Sequence, residues 1–315
     1  PSPTPSPGRS PRATPTSPHA TATSDTPLTD DLRPRRSVLY MPAANERALE
    51  KAQTIPADAI IFDLEDAVAP DAKPDARAKA VAAVQSGLYG NRELTIRCNG
   101  LDTEWGSDDV TAAAGAHPSA VVIPKVDSVG YVERVASLLD DAGATDVMIW
   151  PMIETPTAMF NVREIAAHPR VAVLVMGTND LAKELRSPLV PGRHPLVVHL
   201  ATALLAAREA GKVILDGVYN DVKNAEGFDA ECRQGMEMGF DGKTLIHPSQ
   251  VEPANDMWAP SADDIDYAER VIAAFDEAVA DGRGVVTVDG RMIENLHVDN
   301  ARRVLATAAA IAALD

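Results

Sequence analysis

The amino-acid sequence predicts an α/β protein whose fold is a (β/α)8 TIM barrel with a C-terminal helical extension. Eight short apolar runs, each followed by a stretch with helical periodicity, are the sequence form of βα units and a parallel sheet. The length of 315 residues suits one such barrel. No GxGxxG segment follows the first run, which disfavours the competing open, doubly wound sheet. The predicted strands cover residues 38–41, 59–64, 94–98, 120–123, 147–153, 171–176, 213–218 and 244–246.

The stretches between these runs carry helix signals. The stretch 74–86 opens with proline in its first turn and stops at Gly87, where a helix ends easily. After the eighth run, residues 263–280 place their apolar side chains on one stripe of a helix. A glycine-rich turn, a short strand at 285–288 and a last helix at 298–313 follow. This extension exceeds what a barrel needs, and we expect it to form an arm or lid.

The first residues differ in composition from the rest of the chain. Nine of the 24 prolines and twelve serines or threonines fall within the first 36 residues. Such a segment buries too little apolar surface to offset its ordering entropy, so we expect a disordered tail. The predicted organisation is a tail at 1–36, a catalytic barrel domain at 37–260 and a helical C-terminal arm at 261–315.

The composition excludes several classes of function. A net charge of −17 without a basic stripe disfavours nucleic acid as a partner. Cys98 and Cys232 are far apart and lack ligand spacing, which indicates buried thiols in a reduced cytoplasm. No run of about 18 apolar residues and no signal-peptide pattern is present. We therefore expect a cytoplasmic protein with no membrane partner.

Polar side chains close seven of the predicted strands. The active sites of (β/α)8 barrels lie at the carboxyl ends of the strands, so these are the candidate functional residues. One such residue alone is commonly a helix cap. Several acids with a few cations instead suit a hard ion such as Mg²⁺, with Mn²⁺ as an alternative, completed by water or substrate. The candidates are Asp63, Glu65, Asp66, Arg97, Asn99, Lys125, Glu154, Asn179, Asp180, Asp216, Asn220, Lys243 and His247.

Two other chemistries are less well supported. Zinc is disfavoured because no HxxxH motif or Cys/His cluster accompanies the acids. A Schiff-base aldolase would use Lys125, but nothing in the sequence indicates that this lysine is desolvated.

Eight motifs in order resemble the citrate lyase β-subunit-like group of the HpcH/HpaI aldolase superfamily, which includes malyl-CoA and citramalyl-CoA lyases. The resemblance runs from Arg36 to near the C-terminus and implies a (β/α)8 barrel. The motifs are RSVLYMPA at 36–43, DLEDAVAPDAK at 63–73, RCNGLDTEW at 97–105, IPKV at 123–126, IET at 153–155, GTNDL at 177–181, GFDGKTLIHPSQV at 239–251 and GRMIENLH at 290–297.

The resemblance implies roles for the strand-end residues. Glu154 and Asp180 would bind Mg²⁺, and Arg97 would face the reacting oxygen of the substrate and stabilise a thioester enolate. A 2-oxo acid can chelate the ion through its carboxylate and carbonyl, which makes the carbonyl a better electrophile. Glu65 and Asp66 would hold the metal's waters. Asp66 is also a candidate loop cap.

The resemblance also implies a coenzyme A site. Tyr40, Asn45 and Lys51 match positions that line the nucleotide pocket in the malyl-CoA lyase branch, although Lys51 is also a candidate solvated charge. Val218 and Tyr219 match the segment that lies along the thioester arm. By the same positional logic, Lys73 and Arg77, one helical turn apart, would supply further phosphate contacts.

One motif departs from the family. Malyl-CoA lyases place an aspartate at the position of Glu294, on an arm that covers a neighbouring subunit's site and supplies an acid-base group. The resemblance therefore implies a homo-oligomer, a trimer or hexamer, with Glu294 as a catalytic residue whose side chain is one methylene longer.

The predicted function is that of a Mg²⁺-dependent carbon-carbon lyase. It would cleave or form malyl-CoA, β-methylmalyl-CoA or citramalyl-CoA from an acyl-CoA and a 2-oxo acid. The alternatives are a CoA-independent 2-oxo acid aldolase, a malyl-CoA thioesterase or malate-synthase-like enzyme, and the β-subunit of a citrate lyase complex.

Overall fold

The computed structural model describes residues 32–314 and contains the predicted barrel. Eight parallel strands close in sequence order, with β8 paired to β1. All eight predicted strands are present, with bounds shifted by at most a few residues. The strands are β1 Ser37–Pro42, β2 Ala59–Asp63, β3 Glu93–Arg97, β4 Ala120–Ile123, β5 Met148–Ile153, β6 Val173–Met176, β7 Val213–Asp216 and β8 Gly242–Leu245.

Helices surround the barrel and continue beyond its last strand. The helix predicted at 74–86 runs one residue earlier at each end, and Gly87 beyond it has φ +69°. The helices are α1 Glu46–Ala52, α2 Lys73–Gln85, α3 Gly106–Ala116, α4 Val129–Asp141, α5 Pro156–Ala167, α6 Thr178–Glu184, α7 Val197–Glu209, α8 Ala225–Met238, α9 Val251–Trp258, α10 Ala262–Ala280 and α11 Asn295–Ala312. Among them, none is long and apolar enough to cross a membrane.

The strands are buried on both faces, as expected of a parallel sheet. Along β2, Ala59 and Ile61 join a cluster made of strand residues, which fills the barrel interior. Ile60 and Phe62 join the larger cluster between the strands and the helices. This alternation follows the two-residue period of a strand. It continues to Asp63, whose carboxylate therefore points inward at the carboxyl end of the barrel.

The segment that enters β1 is anchored by ion pairs. Arg35 Nε lies 2.6 Å from Oε2 of Glu93, and Arg36 Nη2 lies 2.8 Å from Oδ1 of Asp58. Both acids are almost fully buried. Residues 32–36, which the prediction placed in the tail, are thus held to the barrel by charge pairing, and the extent of the tail stays a prediction. The rest of the predicted tail lies outside the described residues.

The C-terminal arm forms a small unit with its own apolar core. Val271 and Phe275 of α10 pack with Ile293 and Val298 in a cluster distinct from those of the barrel. The predicted strand is present as β9 Val286–Val288, but its partner β10 Arg291–Ile293 was not anticipated. An Asp-Gly turn with positive φ at both residues joins the two strands. Asp-Gly is a known signal for a β-hairpin, so the sequence did contain the information that predicts the pairing of β9 with β10.

Candidate active site

A cavity of about 310 Å³ opens at the carboxyl ends of the strands, where barrel active sites lie. It is called the strand-end cavity below. Six residues with predicted roles line it together: Tyr40, Asp66, Arg97, Glu154, Asp180 and Val218. The remaining lining residues are Pro42, Asp63, Ala67, Met152, Met176, Gly177, Thr178, Asn179, Asn220, Thr244 and Ile246.

Arg97 is fixed from two sides. Its strand lies in register with β2 so that Arg97 is opposite Asp63, and both side chains point inward. Nε and Nη2 of Arg97 lie 2.6 and 2.7 Å from the two carboxylate oxygens of Asp63. The guanidinium also lies 4.7 Å from the ring centroid of Tyr40, within cation–π range. No specific role was predicted for Asp63, whose signal in the sequence was a carboxylate at the end of an apolar run.

The third nitrogen of Arg97 faces the loop that follows β2. Nη1 lies 2.9 Å from Oε2 of Glu65 and 3.4 Å from Oδ2 of Asp66. Asp66 is largely exposed, whereas the Glu65 side chain is 15% exposed. Burial raises the pKa of Glu65 to about 7, since the attraction of Arg97 only partly offsets it. Burial opposes the charge of Arg97, but the attraction of Asp63 outweighs it and raises its pKa, so Arg97 stays cationic.

Glu154 follows β5 and is buried at the floor of the strand-end cavity. Its Oε1 accepts a 2.7 Å hydrogen bond from the backbone N–H of Lys125. Burial, and then the negative charges of Glu65 and Asp180, raise the pKa of Glu154 to about 7. A divalent cation would relieve this repulsion directly.

The residues present fit a magnesium ion. Glu154 and Asp180 supply hard carboxylate oxygens, the donors that Mg²⁺ prefers. Within residues 32–314, no group of three His, Cys, Asp or Glu side chains converges as a ready cage. Mg²⁺ usually keeps several waters and takes only one or two protein carboxylates, so two ligands are adequate. Glu65 is close to these carboxylates because Nζ of Lys125 lies 3.7 Å from Oε1 of Glu65 and 3.8 Å from Oδ1 of Asp180.

Lys125 does not have the environment of a Schiff-base lysine. Burial lowers its pKa, but attraction to Glu154, Glu65 and Asp180 outweighs that effect, and the pKa is raised overall. A raised pKa keeps the amine protonated and poorly nucleophilic.

The structure places Lys73 differently from the predicted phosphate contact. Its ammonium is buried and donates to the carbonyl oxygens of Leu64 and Glu65, both at 2.8 Å, and to Oδ1 of Asn99 at 2.7 Å. Every ammonium proton is therefore used within the protein. The chain segment that it holds is the loop carrying Glu65.

Arg77 also has internal partners. Its Nε lies 2.6 Å from Oδ1 of Asp109, whose other oxygen accepts from the Asn99 amide at 2.6 Å. The Arg77 side chain is 18% exposed. Lys73 and Arg77 thus belong to one buried network beneath the β2 and β3 loops, and neither lines the strand-end cavity.

Of the other coenzyme A candidates, Tyr40 lines the strand-end cavity beside Arg97, and the rest lie nearer the protein surface. Asn45 caps α1 by accepting from the N–H of Ala48 at 3.2 Å, and Lys51 is exposed in the last turn of that helix. Val218 lines both the strand-end cavity and an adjoining cavity of about 600 Å³, and Tyr219 lines the second of these. The two cavities therefore meet at the loop after β7.

Two strand-end candidates are structural. Asp216 and Lys243 are fully buried and form an ion pair of 2.9 Å, and Arg193 adds a contact of 2.7 Å to Asp216. Neither Asp216 nor Lys243 lines the strand-end cavity. Their side chains face α8, where Glu231 accepts from Lys243 at 2.8 Å.

Glu294 does not line either cavity in this chain. It is exposed and caps α11, with its backbone N–H donating to Nδ1 of His297 at 3.2 Å.

The fold and this site define a class: barrel enzymes that gather an arginine and acidic side chains at the carboxyl ends of their strands. Residues 36–248 match the HpcH/HpaI aldolase/citrate lyase family. Residues 190–312 match a family described as C-C bond lyases of the TIM-barrel fold. The chain belongs to the HpcH/HpaI aldolase/citrate lyase family.

Several relatives are similar over nearly their whole length. A (3S)-malyl-CoA thioesterase of Cereibacter sphaeroides (strain ATCC 17025) is 54% identical over 280 residues, which is 89% of this chain and 96% of the relative. The citrate lyase subunit beta of Escherichia coli (strain K12) is 36% identical over 285 residues, covering 88% and 94%. The solved structure of Mycobacterium tuberculosis CitE with magnesium, acetoacetate and coenzyme A has a TM-score of 0.73 at 28% identity, covering 87% and 97%.

Proposed function

We propose that this chain is a Mg²⁺-dependent hydrolase of (3S)-malyl-CoA. The observation that carries the proposal is the strand-end cavity, which Arg97, anchored by Asp63, lines together with Glu154 and Asp180. The 54% identity to (3S)-malyl-CoA thioesterases supports the substrate and the hydrolytic outcome. Carbon-carbon chemistry was the function predicted from the sequence, with malyl-CoA hydrolysis among the alternatives, and the identity to these relatives favours hydrolysis.

Glu154 and Asp180 are the residues that would hold the ion. Bound there, Mg²⁺ would act as a Lewis acid toward the oxygens of the substrate's hydroxy acid end. The magnesium in the M. tuberculosis CitE structure supports this assignment.

Arg97 is the group placed to stabilise developing negative charge. Hydrolysis adds water to the thioester carbonyl carbon, breaks the C–S bond and releases malate and the CoA thiol. Negative charge develops on the thioester oxygen, and an always-charged, preorganised guanidinium lowers that barrier. Asp63 and the Tyr40 ring fix the guanidinium plane before substrate arrives, so little reorganisation is needed.

The thioester arm would enter across the loop after β7. Val218 lines both the strand-end cavity and the adjoining cavity, and Tyr219 lines the adjoining cavity. Asn45 and Lys51 on α1 remain the proposed contacts for the nucleotide end. We assign no phosphate contact to Lys73 or Arg77, whose hydrogen bonds lie within the protein.

Glu294 would act in the site of a neighbouring subunit. It lies between Met292 and Leu296, which are 68% and 60% exposed. Exposed apolar side chains on either side of a carboxylate suit a surface that docks on another subunit. We therefore propose a homo-oligomer. The trimer or hexamer and the cytoplasmic location predicted from the sequence are kept as parts of the proposal.

Carbon-carbon cleavage is a second candidate. The family match and the similarity to citrate lyase β-subunits favour it. The same Arg97 would then stabilise the enolate of acetyl-CoA while glyoxylate leaves.

One assay separates the two reactions. Purified protein is incubated with (3S)-malyl-CoA and Mg²⁺, and products are identified by mass spectrometry. Hydrolysis gives malate and free CoA, and cleavage gives acetyl-CoA and glyoxylate. We expect hydrolysis, its loss in EDTA, and its loss in Glu154→Ala. Glu164→Gln, an exposed change on α5, is the matched control and should keep full activity. Turnover unaffected by EDTA would contradict the proposal.

A further inference from the structure

Lys125 has a strained backbone at the edge of the site. It follows β4 and Pro124, and its φ is +49°, in the left-handed region that residues other than glycine, asparagine and aspartate rarely adopt. Such strain persists only where surrounding contacts hold it. Here its backbone N–H donates to Oε1 of Glu154 at 2.7 Å, so the strained turn is tied directly to a proposed metal ligand.

The same turn directs the ammonium group toward the carboxylates. Nζ of Lys125 lies 3.7 Å from Oε1 of Glu65 and 3.8 Å from Oδ1 of Asp180. The nearby cation Arg97 is paired with Asp63 at 2.6 Å and with Glu65 at 2.9 Å. Among the described residues, Lys125 is the cation that pairs with Asp180.

We propose that Lys125 is an internal counter-cation of the metal site: its ammonium pairs with Asp180, competes with a divalent ion for that carboxylate, and gives it up when the ion binds. The proposal rests on the metal site of the proposed function and adds a determinant of its affinity.

The physical consequence is weakened metal binding in the absence of substrate. A unit positive charge beside the ligands repels the incoming ion. When the ion takes Asp180, the attraction between Lys125 and Asp180 is also lost. The side chain is 51% exposed, so solvent screens both effects and the expected change is modest. Weak binding of the free ion would make occupancy depend on the substrate, which brings oxygens of its own.

The test measures metal affinity without any acyl-CoA. Metal-stripped full-length protein is titrated with Mn²⁺ and the free ion is followed by electron paramagnetic resonance. Lys125→Asn removes the charge and keeps a residue that tolerates positive φ. We expect its Kd for Mn²⁺ to fall by a factor on the order of 10, whereas Lys125→Arg keeps the wild-type Kd.

Two further variants control for general effects. Lys212→Met removes one positive charge at the amino end of β7, remote from the carboxyl ends of the strands, and should leave the Kd unchanged. Lys125→Gly repeats the charge removal with no strain, in case the asparagine variant folds poorly.

An unchanged or higher Kd in folded Lys125→Asn and Lys125→Gly would overturn the role of Lys125 and leave the proposed function standing. Equal tightening in Lys212→Met would also overturn it, because the effect would then be one of net charge. Failure of every variant and the wild type to bind Mn²⁺ would overturn the metal site itself.

Discussion

The backbone of Gly177 lies against the carboxylate of Glu154. A Cβ atom built on Gly177 would be 2.0 Å from Oε2 of Glu154 and 2.4 Å from its Cβ, which is too close for non-bonded heavy atoms. The φ of Gly177 is not in the left-handed region, so the requirement for glycine is one of space. The first residue of the GTNDL motif thus makes room for the proposed metal ligand on the neighbouring strand.

Gly177→Ala should therefore damage the site. The new methyl group would displace Glu154, and a misplacement of about 1 Å can cost on the order of 10²-fold in rate. We expect malyl-CoA turnover to fall by about that factor, with weaker Mn²⁺ binding. Gly115→Ala is the matched control, because a Cβ there meets nothing within 4 Å. Equal activity in the two variants would contradict the packing argument.

Arg97→Lys should lower kcat by a factor on the order of 10² to 10³, the loss seen for one oxyanion donor. Lysine keeps the charge but cannot pair with both oxygens of Asp63 and face the substrate at once. Steady-state kinetics with (3S)-malyl-CoA test this. Arg163→Lys, in an exposed ion pair with Glu209, is the control. A rise in KM alone would make Arg97 a binding clamp.

The barrel was predictable because burial of a strand on both faces requires a short run of apolar residues, which is visible in the sequence. Each strand of a parallel sheet is a short apolar run, and the polar residue that ends it is visible in the sequence. Asp63 and Glu154 were both found in this way. The contacts of the last residue in a strand could not be predicted from that strand alone. They depend on the register between strands, which places Asp63 opposite Arg97.

The contacts of other residues could not be predicted because their partners are distant in sequence. Lys73 stands one helical turn before Arg77, as a phosphate clamp would, yet its ammonium binds Asn99, 26 residues away. Lys243 ends up beside Asp216 on the outer side of the strands, although both were counted among the strand-end candidates. The side chain of a charged residue near a strand end can thus point into the barrel or toward the surrounding helices. Which direction it takes is known only from the closed barrel.

Lys73→Met and Lys51→Met should separate structural from coenzyme roles. Removing the Lys73 ammonium leaves buried carbonyl oxygens of Leu64 and Glu65 unpaired, which costs about 1–3 kcal/mol for each such group. We expect a lower melting temperature and lower kcat for Lys73→Met, with an unchanged preference for malyl-CoA over its 3′-dephospho analogue. Lys51→Met should keep its melting temperature and lose part of that preference. The reverse pattern would return Lys73 to the phosphate.

The metal-free protein should lose stability as pH rises from about 4.5 to about 7. The pKa of Glu154 is raised from 4.5 to about 7, so in this window the unfolded chain releases a proton that the folded chain retains. Its contribution is on the order of 3 kcal/mol, fully present below pH 4.5 and lost as pH rises through 7. Glu65, whose pKa is also raised to about 7, adds to the same slope. Chemical denaturation of metal-stripped protein measures the slope, and Glu154→Gln should reduce it without abolishing it. A slope unchanged in that variant would assign the effect elsewhere.

Mixing two inactive variants tests whether the arm serves a neighbouring subunit. In the described chain, Asp180 lines the strand-end cavity, whereas Glu294 is exposed on the arm and lines neither cavity. Glu294→Ala and Asp180→Ala should each be inactive alone. If the arm crosses between subunits, exchanged mixtures contain some sites with an intact arm and an intact metal centre, so part of the activity should return. Glu164→Gln mixed with Asp180→Ala gives the reference for exchange. No recovery in subunits shown to exchange would place Glu294 in its own site or outside catalysis.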